Sequence, residues 1–230
     1  MKKCTLFTLA ATSMIATAAS ADYVSSAIEV GYEVTAEDFG GASVTVYVVD
    51  VYMESNDAAD TLLNVYNWNT VDGAPASFFQ SFTGTGWTPT NLGGPFDTAA
   101  LQSADSFVTI GGFGADGLQA PGAGAGSGLD PNFGGNNAAA PGVDAGWYNG
   151  SPPSLNGAVM TYDSGITGTL IGRFSSLDGE FSLEGTMFEA TWNQGLGTPG
   201  QQAGFTIVPA PGAMALLGLA GLAGRRRRGL

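Results

Sequence analysis

The stretch Val44–Tyr52, VTVYVVDVY, decides the fold class of this chain. Nearly every position is β-branched or aromatic, and such side chains suit the pleated surface of a strand. Because both alternating faces are apolar, the run is typical of an inner strand with apolar neighbours on each side. Asp50 is its only charged residue. The preceding segment Ile28–Val34 alternates between apolar and polar residues, which predicts a strand with one buried and one exposed face.

Short strands with glycine-rich turns continue along the chain. They are predicted at Thr61–Trp68, Ser77–Phe82, Asp105–Ile110, Ala158–Tyr162, Ile166–Phe174, Glu180–Trp192 and Ala203–Val208. Gly111–Gly157 is rich in glycine and proline, so we expect a long irregular loop excursion there, with a short edge strand near Trp147 and Tyr148. No segment of the middle has sustained helical periodicity. The pattern predicts an all-β domain, an antiparallel β-sandwich or a jelly roll.

The N-terminal segment has the three parts of a secretory signal peptide. Lys2 and Lys3 give a positive start, Leu6–Ile15 is apolar, and Ala19–Ala21 consists of small residues. We therefore expect a signal peptide that is cleaved between Ala21 and Asp22. The alternative interpretation is an ordinary N-terminal helix. The domains are therefore predicted as a signal peptide over residues 1–21, a β-rich ectodomain over 22–207 and a C-terminal signal over 208–230.

The composition excludes several classes of function. The chain has no histidine and one cysteine, Cys4, which lies inside the predicted signal peptide. A Cys/His zinc site and nucleophile–histidine catalysis are therefore excluded. Between Asp22 and Ile207 the chain carries all 20 acidic residues and a single basic one, Arg173. This strong negative charge repels nucleic acid and anionic lipid. Its simplest meaning is solubility, and the alternative is cation binding.

The C-terminal segment combines an apolar run with a basic cluster. Ala213–Gly224 would form a short hydrophobic helix of about 18 Å at 1.5 Å per residue. A spanning helix needs ~20 residues, so we expect transient membrane insertion rather than a permanent anchor. The arginines that follow would stay on the cytoplasmic side. A chain exported from its N-terminus would then pause with its folded domain outside.

This arrangement resembles the PEP-CTERM sorting signal of bacterial exported proteins. The resemblance rests on Val208, Pro209, Pro211, Gly212, Arg225, Arg226, Arg227 and Arg228, with the apolar run between them. Ala210 stands where the family usually has glutamate. The resemblance implies processing by signal peptidase and by an exosortase-type membrane transpeptidase. It covers the tail alone and implies nothing about the activity of the ectodomain.

Clustered Asp and Asn residues raise the question of a calcium site. The candidate ligands are Asp57, Asp60, Asp72, Asp130 and Asn132, in loops whose oxygen-rich side chains suit this ion. None of these loops has the EF-hand spacing, and Asp and Asn also occupy turns for backbone reasons. Both interpretations stay open, with turn chemistry favoured. No other cofactor is predicted.

Three functions are compatible with these features. We expect a non-catalytic protein of the cell surface or extracellular matrix, exported and processed at its tail. The alternative is a carbohydrate-binding module that contacts exopolysaccharide, with Trp147 and Tyr148 as an exposed stacking pair. A secreted glycan hydrolase would need a cleft with two carboxylates. No catalytic residue is assigned.

Overall fold

Three long strands form where the N-terminal pattern predicts them. In the computed structural model, which describes residues 23–81, 86–89, 98–114 and 127–210, these are β1 (Tyr23–Glu37), β2 (Ser43–Ser55) and β3 (Thr61–Asn69). Residues of β2 from Val48 to Met53 are buried on both faces, which confirms the prediction of an inner strand. The paired neighbours of β2 are β1 and, farther along the chain, a strand that contains Arg173.

Seven shorter strands complete the sheet. They are β4 (Phe107–Val108), β5 (Ser127–Leu129), β6 (Ala145–Asn149), β7 (Met160–Thr161), β8 (Thr167–Ser176), β9 (Met187–Asn193) and β10 (Gln201–Pro209). One short helix, α1 (Ala99–Ser103), and two 3₁₀ turns, at Pro131–Phe133 and Pro152–Ser154, lie between them. Strands make up nearly all of the regular structure among the described residues, so the prediction of an all-β domain is confirmed.

The ten strands form one mixed sheet that is nearly closed into a barrel. Its order is β4-β8-β2-β1-β10-β9-β3-β6-β5, with β7 paired to β8. All pairs are antiparallel except β1 with β10, which run parallel. The predicted antiparallel sandwich or jelly roll is not confirmed, because β10 hydrogen-bonds to both β1 and β9 and so joins the two halves into a single sheet.

The interior of the nearly closed sheet is aromatic. Trp68 of β3 is fully buried, and its ring lies 5.5 Å from that of Phe174, 5.3 Å from Phe188 and 5.2 Å from Trp147. Offset and tilted ring pairs of this kind add stability beyond their buried area. Because these rings come from β3, β8, β9 and β6, they hold distant parts of the chain together.

The predicted strands Asp105–Ile110 and Ala158–Tyr162 are shortened to β4 and β7, and two others differ more. Residues 77–81 are not a strand: Phe78 packs into the aromatic interior from an irregular segment. The predicted strand Glu180–Trp192 begins only at Met187, because Gly185 takes a left-handed φ of 89° within a turn. Leu183 is nevertheless fully buried, so its apolar character reflects packing rather than strand periodicity.

The glycine-rich stretch is not the loop excursion that its composition predicts. Of its described residues, those of β6 pair with both β3 and β5, and Phe133 is fully buried. A short strand at Trp147 and Tyr148 is confirmed, but it lies inside the sheet and β5 forms the edge. Residues 115–126 lie outside the described part of the chain.

Described residues cover one half of the outer side of the sheet. Helix α1 packs on Val46 and Val48 of β2, and Phe113 and Tyr162 pack beside Tyr52. Over the stretches described, no helix is long and apolar enough to cross a membrane. The predicted C-terminal hydrophobic helix and the signal peptide lie outside the described residues.

Candidate functional site

The outer sides of β3, β9 and β10 carry a continuous row of polar side chains. Strand register places Tyr66 opposite Glu189 and Glu189 opposite Gly204. Neighbouring positions on β9, such as Phe188 and Ala190, are buried on the other side. We call this surface the polar face. It comprises Asn64, Tyr66, Asn69, Met187, Glu189, Thr191, Gln202, Gly204 and Thr206.

A groove of about 550 Å³ lies at one end of the polar face. Asn67 and Asn69 of β3, with Asp144 from the turn before β6, form its β3 side, and Glu189 of β9 lies in the middle. Gly204 and Thr206 form its β10 side, and the exposed thioether of Met187 lies beside them. The groove is therefore wide, polar and open to solvent.

Amide groups hold the two carboxylates of the groove in place. Asn67 Nδ2 donates to Glu189 Oε1 at 2.9 Å, and Asn69 Nδ2 donates to Asp144 Oδ1 at 3.0 Å. The hydroxyl of Tyr66 also hydrogen-bonds Glu189; partial burial raises the pKa of Tyr66, and the nearby carboxylate raises it further. These contacts give both carboxylates a defined orientation toward the groove.

The backbone at the groove is strained at two positions. Asn67 has a φ of 51° and Asp144 a φ of 56°, both in the left-handed region that non-glycine residues seldom occupy. The register between β3 and β9 also shifts between Tyr66 and Asn69. Asn and Asp tolerate this conformation better than other residues, and it turns Asn67 toward Glu189. Strain of this kind concentrates at functional sites.

The groove holds two carboxylates, and no basic side chain of the described residues lies beside them. Arg173 is the single Lys or Arg among the described residues, and it is buried at the opposite half of the sheet, against Asp50. The groove is thus expected to repel anions. Its amides and carboxylates can instead donate to and accept from the hydroxyl groups of a neutral ligand.

Asp50, the charged residue within the predicted inner strand, is buried in an ion pair. Its carboxylate contacts Arg173, and Oδ2 also accepts a hydrogen bond from the Tyr32 hydroxyl at 2.8 Å. The pair lies beneath α1, where Arg173 Nη1 donates to the carbonyl of Gln102 at 2.9 Å. This network fixes the helix to the sheet and has a structural role.

The predicted stacking pair is separated by the sheet. Trp147 is 1% exposed, and its Nε1 donates to the carbonyl of Thr109 at 3.0 Å inside the core. The prediction that Trp147 presents its ring to a glycan is therefore wrong, because β6 is an inner strand and alternation directs this ring inward. Tyr148 is 46% exposed, and its ring lies across Gly128 of β5.

The predicted calcium ligands lie in three different turns, with Asp57 and Asp60 in one, Asp72 in a second, and Asp130 and Asn132 in a third. Asp57 Oδ1 accepts from the backbone N–H of Ala59, and Asp60 Oδ2 accepts from Ser55 Oγ at 2.7 Å. Asp130 caps the 3₁₀ turn by accepting from the Phe133 N–H at 2.9 Å.

The remaining candidates do not gather around one point either. Asp72 lies in an exposed turn, and Asn132 Nδ2 donates to the carbonyl of Asp144. Within the described ranges, no group of three or more acidic, histidine or cysteine residues could hold a metal ion. Each residue has a turn or capping role here, and calcium binding stays an untested prediction.

The predicted sorting signal begins inside the sheet. Val208 and Pro209 are the last residues of β10, where they lie beside Ile28 and Glu29 of β1. The N–H of Ala210 donates to the carbonyl of Glu29 at 3.0 Å. The other residues of the signal, Pro211, Gly212 and Arg225–Arg228, lie outside the described part of the chain.

The sequence indicates part of the groove, but as a possible calcium site and not as a glycan site. Asn67 and Asn69 belong to the same Asn- and Asp-rich segment as Asp72, one of the predicted calcium ligands. Asp144, Glu189 and Gly204 carried no signal, because only the pairing of β3 with β9 and of β9 with β10 brings them together. No family model, no curated protein and no solved structure matches the chain.

Proposed function

We propose that this is an exported protein of the cell surface or extracellular matrix, without catalytic activity, whose C-terminal tail is processed after export. Signal peptidase removes residues 1–21, and an exosortase-type transpeptidase acts on the tail. The order of the segments supports this: a signal peptide, an acidic β-rich domain, and an apolar run that ends in four arginines. Transient insertion of the tail holds the domain on the outer side of the membrane.

The position of β10 carries the proposal. This strand lies between β1 and β9, in the middle of the sheet, and the sorting signal starts within it. The proposed sorting signal therefore starts at residues that are part of the folded domain. Retention of the tail at the membrane retains the folded domain as well.

Fractionation of cells that express the full chain tests this function. We expect the mature protein at the surface or in the medium, without residues 1–21. Replacement of Arg225–Arg228 by serine is expected to prevent retention of the precursor, because the basic residues define the cytoplasmic end. A control replaces the three polar residues of the segment 194–201, Gln194, Thr198 and Gln201, by serine. A precursor that stays in the cytoplasm would contradict the proposal.

Carbohydrate binding is the second candidate function. The observation that favours it is the groove, where amides and carboxylates are held in place on an open sheet face. The pair Asp144 and Glu189 would also suit a hydrolase, which needs two carboxylates. Release of new reducing ends from bound oligosaccharides would identify a hydrolase and contradict the proposal of a non-catalytic protein.

A further inference from the structure

We propose that the groove between β3, β9 and β10 binds neutral glycan chains and rejects anionic ones, with Gly204 as the open position over which the sugar lies. This inference rests on the carbohydrate-binding function proposed above and assigns its site. The groove takes over the glycan-binding role that the sequence predicted for Trp147, because Trp147 is buried in the core. The ligand is identified by its chemistry: many hydroxyl groups, no negative charge and a length greater than one sugar ring.

The contacts within the folded domain do not explain why residue 204 is a glycine. It lies inside β10, where glycine is usually unfavourable because it lacks a side chain to pack. At Gly31 and Gly128, aromatic side chains fill the space of the missing Cβ, so the fold requires glycine. At Gly204 the nearest atom to that space is the Phe188 carbonyl oxygen at 3.9 Å, and φ is not positive. A glycine with open space around it permits close approach of a ligand.

The groups around Gly204 match the hydroxyl groups of a sugar. Glu189 lies directly opposite on β9 and accepts hydrogen bonds. Asn67 can donate and accept, whereas Asn69 can only accept, because its amide group already donates to Asn67 O and to Asp144 Oδ1. The exposed Thr206 hydroxyl adds a donor and an acceptor on the β10 side. Hydrogen bonds to charged acceptors are the stronger ones, so Glu189 and Asp144 are expected to dominate affinity.

The charge and length of the site narrow the ligand further. Because Asp144 and Glu189 face the groove and the only described basic residue is buried elsewhere, uronates and sulfated sugars are disfavoured. The groove occupies Met187 to Glu189 of β9, and the polar face that contains it continues to Thr191, roughly 14 Å in all at about 3.4 Å per residue. This length accommodates an oligosaccharide better than a monosaccharide.

Titration calorimetry of the full-length chain, in a detergent without a sugar headgroup, tests the inference. The ligands are the neutral hexamers of β-1,4-, β-1,3- and α-1,4-linked glucose, and oligomers of guluronate and galacturonate. We expect saturable binding of at least one neutral hexamer and none of the uronates. Failure of all three neutral ligands would overturn the inference, as would equally tight binding of the uronates.

Two leucine variants locate the site. Gly204→Leu adds a side chain at the groove, where the Cβ would meet no atom closer than 3.9 Å, so we expect binding to weaken at least about tenfold while the unfolding midpoint is not lowered. Gly200→Leu is the matched control, because its nearest atom is also a strand carbonyl oxygen at 3.9 Å, from Trp192, but it does not line the groove. Full binding by Gly204→Leu would overturn the assignment of the site.

Glu189→Gln separates charge from shape. It keeps the size of the side chain but removes the charged acceptor, and we expect several-fold weaker binding of the neutral hexamer with a normal unfolding midpoint. Unchanged binding would contradict the role of this carboxylate. Export and tail processing are measured separately in cells. If only the glycan inference fails, all three variants are still exported and processed normally. Failure of the glycan inference is therefore distinguishable from failure of the proposed export and processing.

Discussion

Arg173 Nε lies 2.7 Å from Asp50 Oδ1, and Arg173 Nη2 lies 3.0 Å from Asp50 Oδ2. The two residues are direct register partners on β8 and β2, and both are almost completely buried beneath α1. Burial alone would lower the pKa of Arg173, but Asp50 outweighs this effect and the pKa is raised. The one basic residue of the described chain is therefore committed to a single internal carboxylate.

Breaking this pair on one side is expected to destabilise the domain strongly. Asp50→Asn leaves the guanidinium buried without its counter-charge, at a cost of about 3–5 kcal/mol in the free energy of unfolding. Denaturant titration followed by tryptophan fluorescence measures it. Asp178→Asn, in an exposed turn, is the control and is expected to change stability little.

A double variant distinguishes the buried charge from the packing around it. Asp50→Leu combined with Arg173→Met removes both charges and retains apolar volume, so its loss is expected to be smaller than that of Asp50→Asn. A double variant less stable than Asp50→Asn would show that the hydrogen bonds to Tyr32 and Gln102 matter more than the ion pair.

The sequence predicted the long strands well because their apolar periodicity is local. In β1 the pattern fails at Glu29, which is 8% exposed although alternation predicts an exposed side chain. Its carboxylate accepts hydrogen bonds from Ser182 Oγ and from the Leu183 N–H, residues that are distant in sequence. No local pattern can show that a segment 150 residues away folds over this position.

The same reason limits prediction of the sheet and of the groove. The parallel pair of β1 and β10 joins the two ends of the described chain, and it turns a set of antiparallel strands into one mixed sheet. Most residues of the groove lie on β3, β9 and β10, which become neighbours only because β9 pairs with both β3 and β10. Asp144 reaches the groove from the turn before β6. Trp147 illustrates a different error. The glycine-rich composition around it predicted an irregular loop, but the residue lies in a buried strand.

Alkaline pH is expected to destabilise the domain through its buried tyrosines. Burial raises the pKa of Tyr162 from 10.0 to about 12, and burial also raises the pKa values of Tyr23, Tyr32 and Tyr52. Between pH 10 and 12 the unfolded chain has therefore lost protons that the folded chain retains. By linkage, stability is fully present below pH 10 and falls as pH rises through this window.

The contribution of Tyr162 can be measured with one variant. The Leu170 N–H donates to its hydroxyl at 2.9 Å, so Tyr162→Phe is expected to lower stability at pH 8 by about 1 kcal/mol. The same variant should lose less stability between pH 8 and 11.5 than the unmodified protein. Tyr148→Phe, at an exposed position, serves as the control. Parallel pH profiles for all three proteins would contradict the explanation.

Trp147 and Tyr148 are adjacent in sequence but are expected to respond in opposite ways to truncation. Trp147→Ala removes a ring that contacts Trp68 and Phe133, and should cost about 3–5 kcal/mol. Tyr148→Ala removes an exposed ring and should cost much less. Denaturant midpoints of the two variants provide the measurement. Equal losses would show that the ring of Tyr148 over Gly128 is a packing contact of similar weight.

The junction of β10 and the proposed sorting signal limits where we expect the tail to be cut in the folded protein. A peptide-cleaving enzyme binds its substrate as an extended chain, but Val208 and Pro209 are already paired with β1, and the Ala210 N–H is hydrogen-bonded to Glu29. We therefore expect the mature C-terminus to lie at Ala210 or beyond. Mass spectrometry of the C-terminal peptide from surface or medium fractions identifies it.

A mature end between Gln201 and Val208 would mean that processing precedes the docking of β10, and that the released domain lacks the strand that joins the two halves of its sheet. Such a product should be far less stable than the full domain, because its β1 and β9 would lose their shared partner. Comparing the unfolding midpoint of the mature protein with that of the Arg225–Arg228→Ser variant, which keeps its tail, separates these cases. Equal midpoints are expected if the cut lies beyond Ala210, since the sheet is then intact in both.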